Sequence, residues 1–429
     1  MASLNFSNTV ISHIGPYFIS SPLITCLNLT NNRIQYVAKN AFKNLPNLTY
    51  LSLSKNNFEN SATLFNFGGH EKLKILVLND ATNNKYPELK VKIFENYPYL
   101  EILYARNNGF RDMEYSLKNP IPFQYTIRNI YHKKYFPKLK VLDLSENKMQ
   151  YTSFVNLLSN SLQFLDLHGN NLNSLNLGEK GENLVMLDLD NNEFDKVAYT
   201  KSYDSSLTLA NLKNLSYLSI SRNRIEIIYS TAFQDTDKLS YLNLSMNNIN
   251  EVPADTFAKL HSLSTLDLSS NILKNIPQMS GKINISVLFL NCNKIQKIIP
   301  NAFAQTPKLT KLSLEDNEID EIDAKAFAHL SVLEELDFSG NKLNSLPEGW
   351  SESLISLKYL DLSNNMFTSL ESLSLTSALP LMELYLTNSL DYLNVKYFEN
   401  LPQNLAVNFL QSLNFTQALC KYKYDYNYY

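Results

Sequence analysis

Residues 239–263 read LSYLNLSMNNINEVPADTFAKLHSL, and the spacing of leucines in this stretch decides the fold. Leu242 and Leu244 alternate with Tyr241 and Asn243. That is the period of two a short strand requires, so the leucines point inward and their neighbours outward. Asn247 stands where the chain must turn off the strand. A side-chain amide there can satisfy backbone groups of the turn that stacking would otherwise leave dry. Ile249 and Val252 continue the interior, Pro253 shapes the return path, and Phe257 and Leu260 close the far side before Leu263 begins the next strand. One such unit cannot bury its apolar groups alone. Stacking covers them on both sides, and at roughly 1.5–3 kcal/mol per fully buried large apolar side chain the contacts between neighbours offset the ordering entropy only collectively.

The pattern L-x-x-L-x-L-x-x-N-x-L recurs along the chain. Its asparagine falls at Asn32, Asn56, Asn108, Asn147, Asn170, Asn192, Asn223, Asn247, Asn271, Asn293, Asn317, Asn341 and Asn365, with a regular step of 24 from Asn293 onward. Thr9, Ala81 and Ser389 hold the same place in weaker copies, and Leu405 to Phe415 reads as a last degenerate one, for about seventeen units. Strands stacked about 4.8 Å apart would make a parallel sheet on the order of 80 Å long. The expected fold is an α/β solenoid: a horseshoe with a concave parallel β-sheet and irregular or 3-10 segments on the convex side. It is expected to cover residues 1–416, interrupted by an insertion near 111–135, with a Tyr-rich disordered tail at 417–429.

Composition narrows the function classes. The 38 basic and 41 acidic side chains leave a net charge of −3 spread along the whole length, so nothing marks a nucleic-acid partner or an anionic membrane. Cys26, Cys292 and Cys420 lie too far apart for a metal-spaced pair. No apolar run approaches the roughly 20 residues of a spanning helix, and Met1-Ala2-Ser3-Leu4 lacks the features of a signal peptide. The histidines His13, His70, His132, His168, His261 and His329 form no H-E-x-x-H, no nucleophile elbow lies near them, and no phosphate loop appears. No catalytic residue, metal site or cofactor is therefore expected, and the chain reads as a binder rather than an enzyme.

The return segments sharpen this reading. NRIQYVAKNAFKNLPNL from Asn32, NRIEIIYSTAFQDTDKL from Asn223, NKIQKIIPNAFAQTPKL from Asn293 and NEIDEIDAKAFAHLSVL from Asn317 share an A-F-x-x-[LT] signature. It resembles the 24-residue "typical" leucine-rich repeat of extracellular proteins, among them Toll and Toll-like receptor ectodomains, chaoptin-like proteins and the acid-labile subunit of the insulin-like growth factor carrier. The resemblance implies ligand or partner binding, folding in the endoplasmic reticulum and N-glycosylation. Such proteins usually cap the solenoid with cysteine-rich modules, whereas units begin here at Leu4 and only Cys420 follows the last. An uncapped stack would expose apolar edges and favour aggregation or end-to-end association into a homo-oligomer, so a fragment is the expectation, with termini that cap themselves in a divergent way as the alternative. The expected location is extracellular, as a secreted protein or a piece of an ectodomain. The alternative is an intracellular adaptor or inhibitor, which the missing signal and scarce cysteines favour.

Recognition is expected on the concave face or flanks, toward a protein or other macromolecular ligand. The residue before the second leucine reads Val141, Phe164, Met186, Tyr217 and Tyr241, an apolar and aromatic row of the kind that anchors interfaces. Cross-strand neighbours of this type also stabilise a sheet without any partner. Beside the row run Asp143, Asp166 and Asp188, with His168 and Asp190 nearby. An acidic site here would attract a basic partner or a cation, but Asp recurs at the same place at Asp267, Asp337 and Asp361, which makes it common repeat grammar. The insertion, with Tyr125, Arg128, Tyr131 and His132, reads as a solvent loop, as does the polar stretch Tyr199 to Ser206. Sequons stand at Asn5, Asn28, Asn47, Asn214, Asn243, Asn284 and Asn414, although the repeat itself writes Asn-Leu-Ser/Thr.

Overall fold

A computed structural model of the protein describes residues 2–59, 61–83, 90–93, 97–115, 136–199, 206–390, 397, 401–402 and 404–410. Residues 116–135 of the insertion, residues 200–205, Asn414, Cys420 and the tail at 417–429 lie outside the described residues. The chain divides into two compact units, Met1–Phe194 with Thr200–Leu218 and Asp195–Tyr199 with Ser219–Tyr429.

In the first unit the strands Ala2–Asn5, Ile24–Asn28, Tyr50–Ser52, Ile75–Val77, Ile102–Tyr104, Val141–Asp143, Phe164–Asp166 and Met186–Asp188 pair in parallel, each with the next. The second unit repeats the arrangement with Tyr241–Asn243, Thr265–Asp267, Val287–Phe289, Lys311–Ser313, Glu335–Asp337, Tyr359–Asp361, Glu383–Tyr385 and Ala406–Asn408. The fold is a parallel-strand solenoid, as the periodicity predicts. Register follows from the leucines. Leu142 faces Leu165 and Leu165 faces Leu187, all about 1% exposed or less, so a one-residue slip would turn a whole buried column toward water.

Return segments carry no α-helix among the described residues. They hold 3-10 turns at Ser61–Thr63, Ser153–Leu157 and Gly178–Gly181 in the first unit and at Leu370–Leu373 in the second. Short parallel pairs accompany them, His13–Ile14 with Tyr36–Val37 and Lys297–Ile298 with Glu321–Ile322. Aromatic rings fill the far side. Phe42 and Phe67 lie 5.5 Å apart, Phe67 and Tyr97 6.4 Å, and Tyr97 and Phe136 5.8 Å; in the second unit Phe327 lies 5.7 Å from Phe303 and 5.9 Å from Trp350.

The asparagines do the work their position predicts. Asn247 Nδ2 donates to the carbonyls of Ile220 at 2.9 Å and of Leu244 and Ser245 at 3.1 Å, while its Oδ1 accepts the Ile225 N–H at 3.0 Å. One side chain thus satisfies backbone groups of two successive turns at a depth water does not reach. Where the motif weakens, the ladder adapts. Ser389 donates its hydroxyl to the Leu362 carbonyl at 2.6 Å and accepts the Asn365 N–H at 3.2 Å, and Ala81 relies on its own N–H reaching Asn108 Oδ1 at 2.9 Å. The residue before the asparagine is left-handed, with φ of 53° at Glu146, 55° at Met246 and 51° at Asp316. Glycine takes this slot at Gly169 and Gly340. Among the described residues no helix is long and apolar enough to cross a membrane.

Candidate functional site

The period-two pattern leaves two residues of each strand facing away from the core, and register decides which of them become neighbours. In the first unit Tyr50, Ile75, Ile102, Val141, Phe164 and Met186 stand side by side on six successive strands. Phe164 is 40% exposed and the others are half-buried. Val141, Phe164 and Met186 are thereby brought together as the sequence suggests. Tyr50, Ile75 and Ile102 extend the row and were missed, although each occupies the same place before a leucine. The 38 residues between Ile102 and Val141 hide an adjacency that parallel pairing restores. Tyr217 belongs to this unit too, its N–H donating to the Val185 carbonyl at 3.1 Å.

Tyr241 opens the second unit, where the corresponding row has a different character. It runs through Tyr241, Thr265, Val287, Lys311, Glu335, Tyr359 and Glu383, with Lys311 Nζ 3.0 Å from the Glu335 carboxylate.

The aspartates divide into two kinds. At most positions the carboxylate caps the turn that follows the strand. Asp143 Oδ1 accepts the Ser145 N–H at 2.9 Å and its hydroxyl at 2.6 Å; Asp337 Oδ1 does the same for Ser339 at 2.8 and 2.7 Å. Asp267 and Asp361 accept the N–H groups of Ser269 and Ser363 at 2.8 Å. Asn28 and Asn243 perform the same task toward Thr30 and Ser245 at 3.0 Å. Asp-x-Ser is therefore the repeat's own turn chemistry.

Two adjacent strands depart from it. Asp166 and Asp188 still accept the N–H two residues on, from His168 and Asp190 at 3.0 Å, but an imidazole and a carboxylate stand where the other turns carry a small hydroxyl. His168 Nδ1 lies 2.8 Å from Asp166 Oδ1 and Nε2 lies 3.2 Å from Glu146 Oε1, while Arg106 approaches the same Glu146 oxygen at 4.0 Å. The side-chain hydrogen bond to Asp166 raises the His168 pKa to about 9, with the Asp166, Asp188 and Glu146 charges adding to it against the cost of burial. Burial, reinforced by the Asp190 charge, pushes Asp188 up to about 6. Gly169 makes room for the arrangement: a Cβ on it would sit 2.9 Å from the Glu146 carboxyl carbon. Asp143, Asp166 and Asp188 share one register, and one ligand atom each from Asp166, His168 and Asp188 lie within 4.8 Å of one another.

In the second unit two of the capping acids are covered, while Asp267 stays half-exposed. Asp337 and Asp361 are fully buried, and Asp337 Oδ2 has no hydrogen-bond partner among the described residues. Burial, followed by the Asp361 charge, holds Asp337 well above the usual carboxylate range, and burial with the Asp316 and Asp361 charges pushes Glu315 up to about 7.

Several sequon asparagines also have places in the stack. Asn47, Asn214 and Asn284 donate their amides to the carbonyls of Pro22, Glu182 and His261 at 2.8, 2.9 and 2.8 Å. Asn5 Oδ1 accepts the Ser7 N–H at 3.0 Å. A recess of about 500 Å³ lies beside the return segment of the first unit, with Phe42, Leu48 and Phe67 as apolar lining and His70 among its walls. The His70 ring is tied to the Leu45 carbonyl at 2.9 Å, and burial lowers its pKa.

Residues 22–80, 213–273, 238–284, 283–343 and 307–367 match the leucine rich repeat family model. The structure is similar to that of a leucine-rich-repeat protein from Leptospira interrogans, with 23% identity, 92% of this chain and 87% of that chain covered, and a TM-score of 0.58. It is also similar to the ectodomain of the plant membrane receptor kinase GASSHO1/SCHENGEN3 from Arabidopsis thaliana, solved in complex with Casparian strip integrity factor 2. That match has 20% identity and a TM-score of 0.53, covering 95% of this chain and 50% of that one. No curated protein matches the chain significantly. From the matched repeats and from strands that stack in the same register throughout both units, the chain is a leucine-rich-repeat protein.

Proposed function

We propose that the protein is a non-catalytic recognition scaffold of the extracellular, receptor-ectodomain kind, which takes a protein or other macromolecular ligand on the strand face of its first unit. One observation carries this reading: the apolar row from Tyr50 to Met186, contiguous on six strands and part-exposed, with a carboxylate-rich row beside it. Apolar groups in a contiguous exposed row, rimmed by charge, have the composition of an interface core and its rim. The plant ectodomain with the same fold was solved with a bound factor, which is a precedent for the use of such a scaffold. The A-F return segments and the exposed sequons Asn5 and Asn284 support an extracellular location.

The test is a binding screen of the purified chain against arrayed secreted and cell-surface ectodomains, repeated with Phe164→Ala and Met186→Ala combined. A ligand held by this face loses affinity by about tenfold or more when two central anchors are truncated. Full affinity in the double variant would remove the strand face from the account. Location is tested separately by peptide mass spectrometry of material secreted from a eukaryotic host, where glycans on Asn5 and Asn284 are expected. Unmodified asparagines throughout would count against the secretory route.

A further inference from the structure

We infer that Asp166, His168 and Asp188 form a binding site for a divalent transition-metal ion of the zinc type, with Glu146 bonded to the imidazole nitrogen turned away from Asp166. The inference stands on the geometry of these side chains and is independent of any macromolecular ligand.

Two of the donors come from neighbouring strands locked in register, Asp166 facing Asp188, so their Cα positions are fixed by the sheet, and His168 follows two residues after the end of the first strand. One ligand atom from each of the three residues lies within 4.8 Å of the other two. A tetrahedral ion with bonds of about 2.0–2.2 Å needs donors roughly 3.4 Å apart, a distance that side-chain rotation of about an ångström supplies here. All three are half-buried, so water and an ion have access while the surroundings strengthen the attraction. The donor set decides the kind of ion. One imidazole nitrogen with carboxylate oxygens suits zinc and its neighbours, whereas calcium and magnesium prefer oxygen alone.

The departure from repeat grammar points the same way. At Asp143 and Asp337, each with Ser two residues on, Oδ1 is engaged by that serine's hydroxyl. At Asp166 the hydroxyl is replaced by an imidazole, and Gly169 leaves the space into which the Glu146 carboxylate reaches to within 3.2 Å of His168 Nε2. In the ion-free protein the protonated His168 ring gives its Nε2–H to Glu146 and its Nδ1–H proton to Asp166. A metal ion would replace that proton with a second positive charge and draw in Asp188, which the imidazole does not hold. Arg106, 4.0 Å from the Glu146 oxygen that faces His168, balances that carboxylate outside the coordination sphere.

Isothermal titration of the tag-free chain with zinc chloride tests the site, with calcium chloride as the contrasting ion. One zinc ion per chain is expected, bound with micromolar affinity. His168→Ala and, separately, Asp188→Asn should each weaken binding by about tenfold or more, while calcium binds far more weakly. Cobalt substitution supplies an independent readout, a visible absorption of tetrahedral character that His168→Ala abolishes. Circular dichroism checks that each variant folds, and because Asp188→Asn leaves the His168 contacts in place, it remains informative if His168→Ala does not fold. Absence of zinc binding in the native chain, or affinity unchanged in both variants because another histidine holds the ion, would overturn the assignment.

Discussion

The two units present the same positions of the same repeat, yet their strand faces differ. In the first, six successive positions before the central leucine are apolar or aromatic, and its acids are half-exposed around His168. In the second, the corresponding row carries Lys311 and Glu335 in an ion pair, and Asp337 and Asp361 are buried as caps over serine turns. A residue's place in the motif therefore fixes where it points, while its neighbours on adjoining strands fix whether it meets water. Aspartates that cap the same turn are thus sealed from water in one context and open to it in the other.

The largest test asks whether the scaffold beneath the two faces is the same. Asn341 bonds the carbonyls of Leu314, Phe338 and Ser339 and the Ile319 N–H; Asn170 bonds those of Leu144, Leu167 and His168 and the Met149 N–H. At about 1–3 kcal/mol for each buried group left unpaired, either Asn→Ala change should cost roughly 3 kcal/mol or more in denaturant unfolding. Costs that differ strongly between the two would place part of the contrast in the backbone ladder itself.

A second test separates the caps. Asp337→Ala strands the Ser339 N–H and hydroxyl out of reach of water and should lose about 2 kcal/mol, whereas Asp166→Ala, half-exposed, should lose less than about 1 kcal/mol. Equal losses would break the distinction between buried cap and exposed ligand. Gly169→Ala adds a Cβ at φ 67° against the Glu146 carboxyl, and roughly 1–2 kcal/mol of destabilisation is expected from the left-handed backbone alone.

The smallest effect is one of pH. Glu315 has a folded pKa of about 7 against an ordinary 4.5, so the folded state holds this proton more tightly. Its contribution to stability is complete below 4.5 and is lost as pH rises through about 7. Glu315→Gln should flatten the thermal midpoint over that interval. In the first unit His168 acts over a higher window, its contribution full below 6.5 and lost as pH passes about 9, while Asp188 loses its contribution between 3.8 and about 6. Hydrogen exchange across these ranges, read separately for residues 141–192 and 311–365, would show whether the two regions respond in different windows.

Much of this was legible in the residues alone. Leucine alternation and the asparagine ladder announce parallel stacking, and the recurrence of Asp at Asp267, Asp337 and Asp361 already suggests a turn role. The departure at His168 was legible too, since a histidine where the repeat writes serine is visible without coordinates. The convergence of Glu146 on it was not, because the two lie on different turns and Glu146 reaches across only where Gly169 lacks a side chain.

By itself the sequence determined the unit, its period and the inward face, because a short amphipathic strand that cannot bury its leucines alone has stacking as its outlet. Only the tertiary structure decided that Ile102 lies beside Val141, that Asp337 is sealed from solvent and that Glu146 reaches His168. The reason is that register and burial belong to pairs of turns: the sequence step between paired residues varies from turn to turn, and each side chain's exposure is set by what its neighbours place above it.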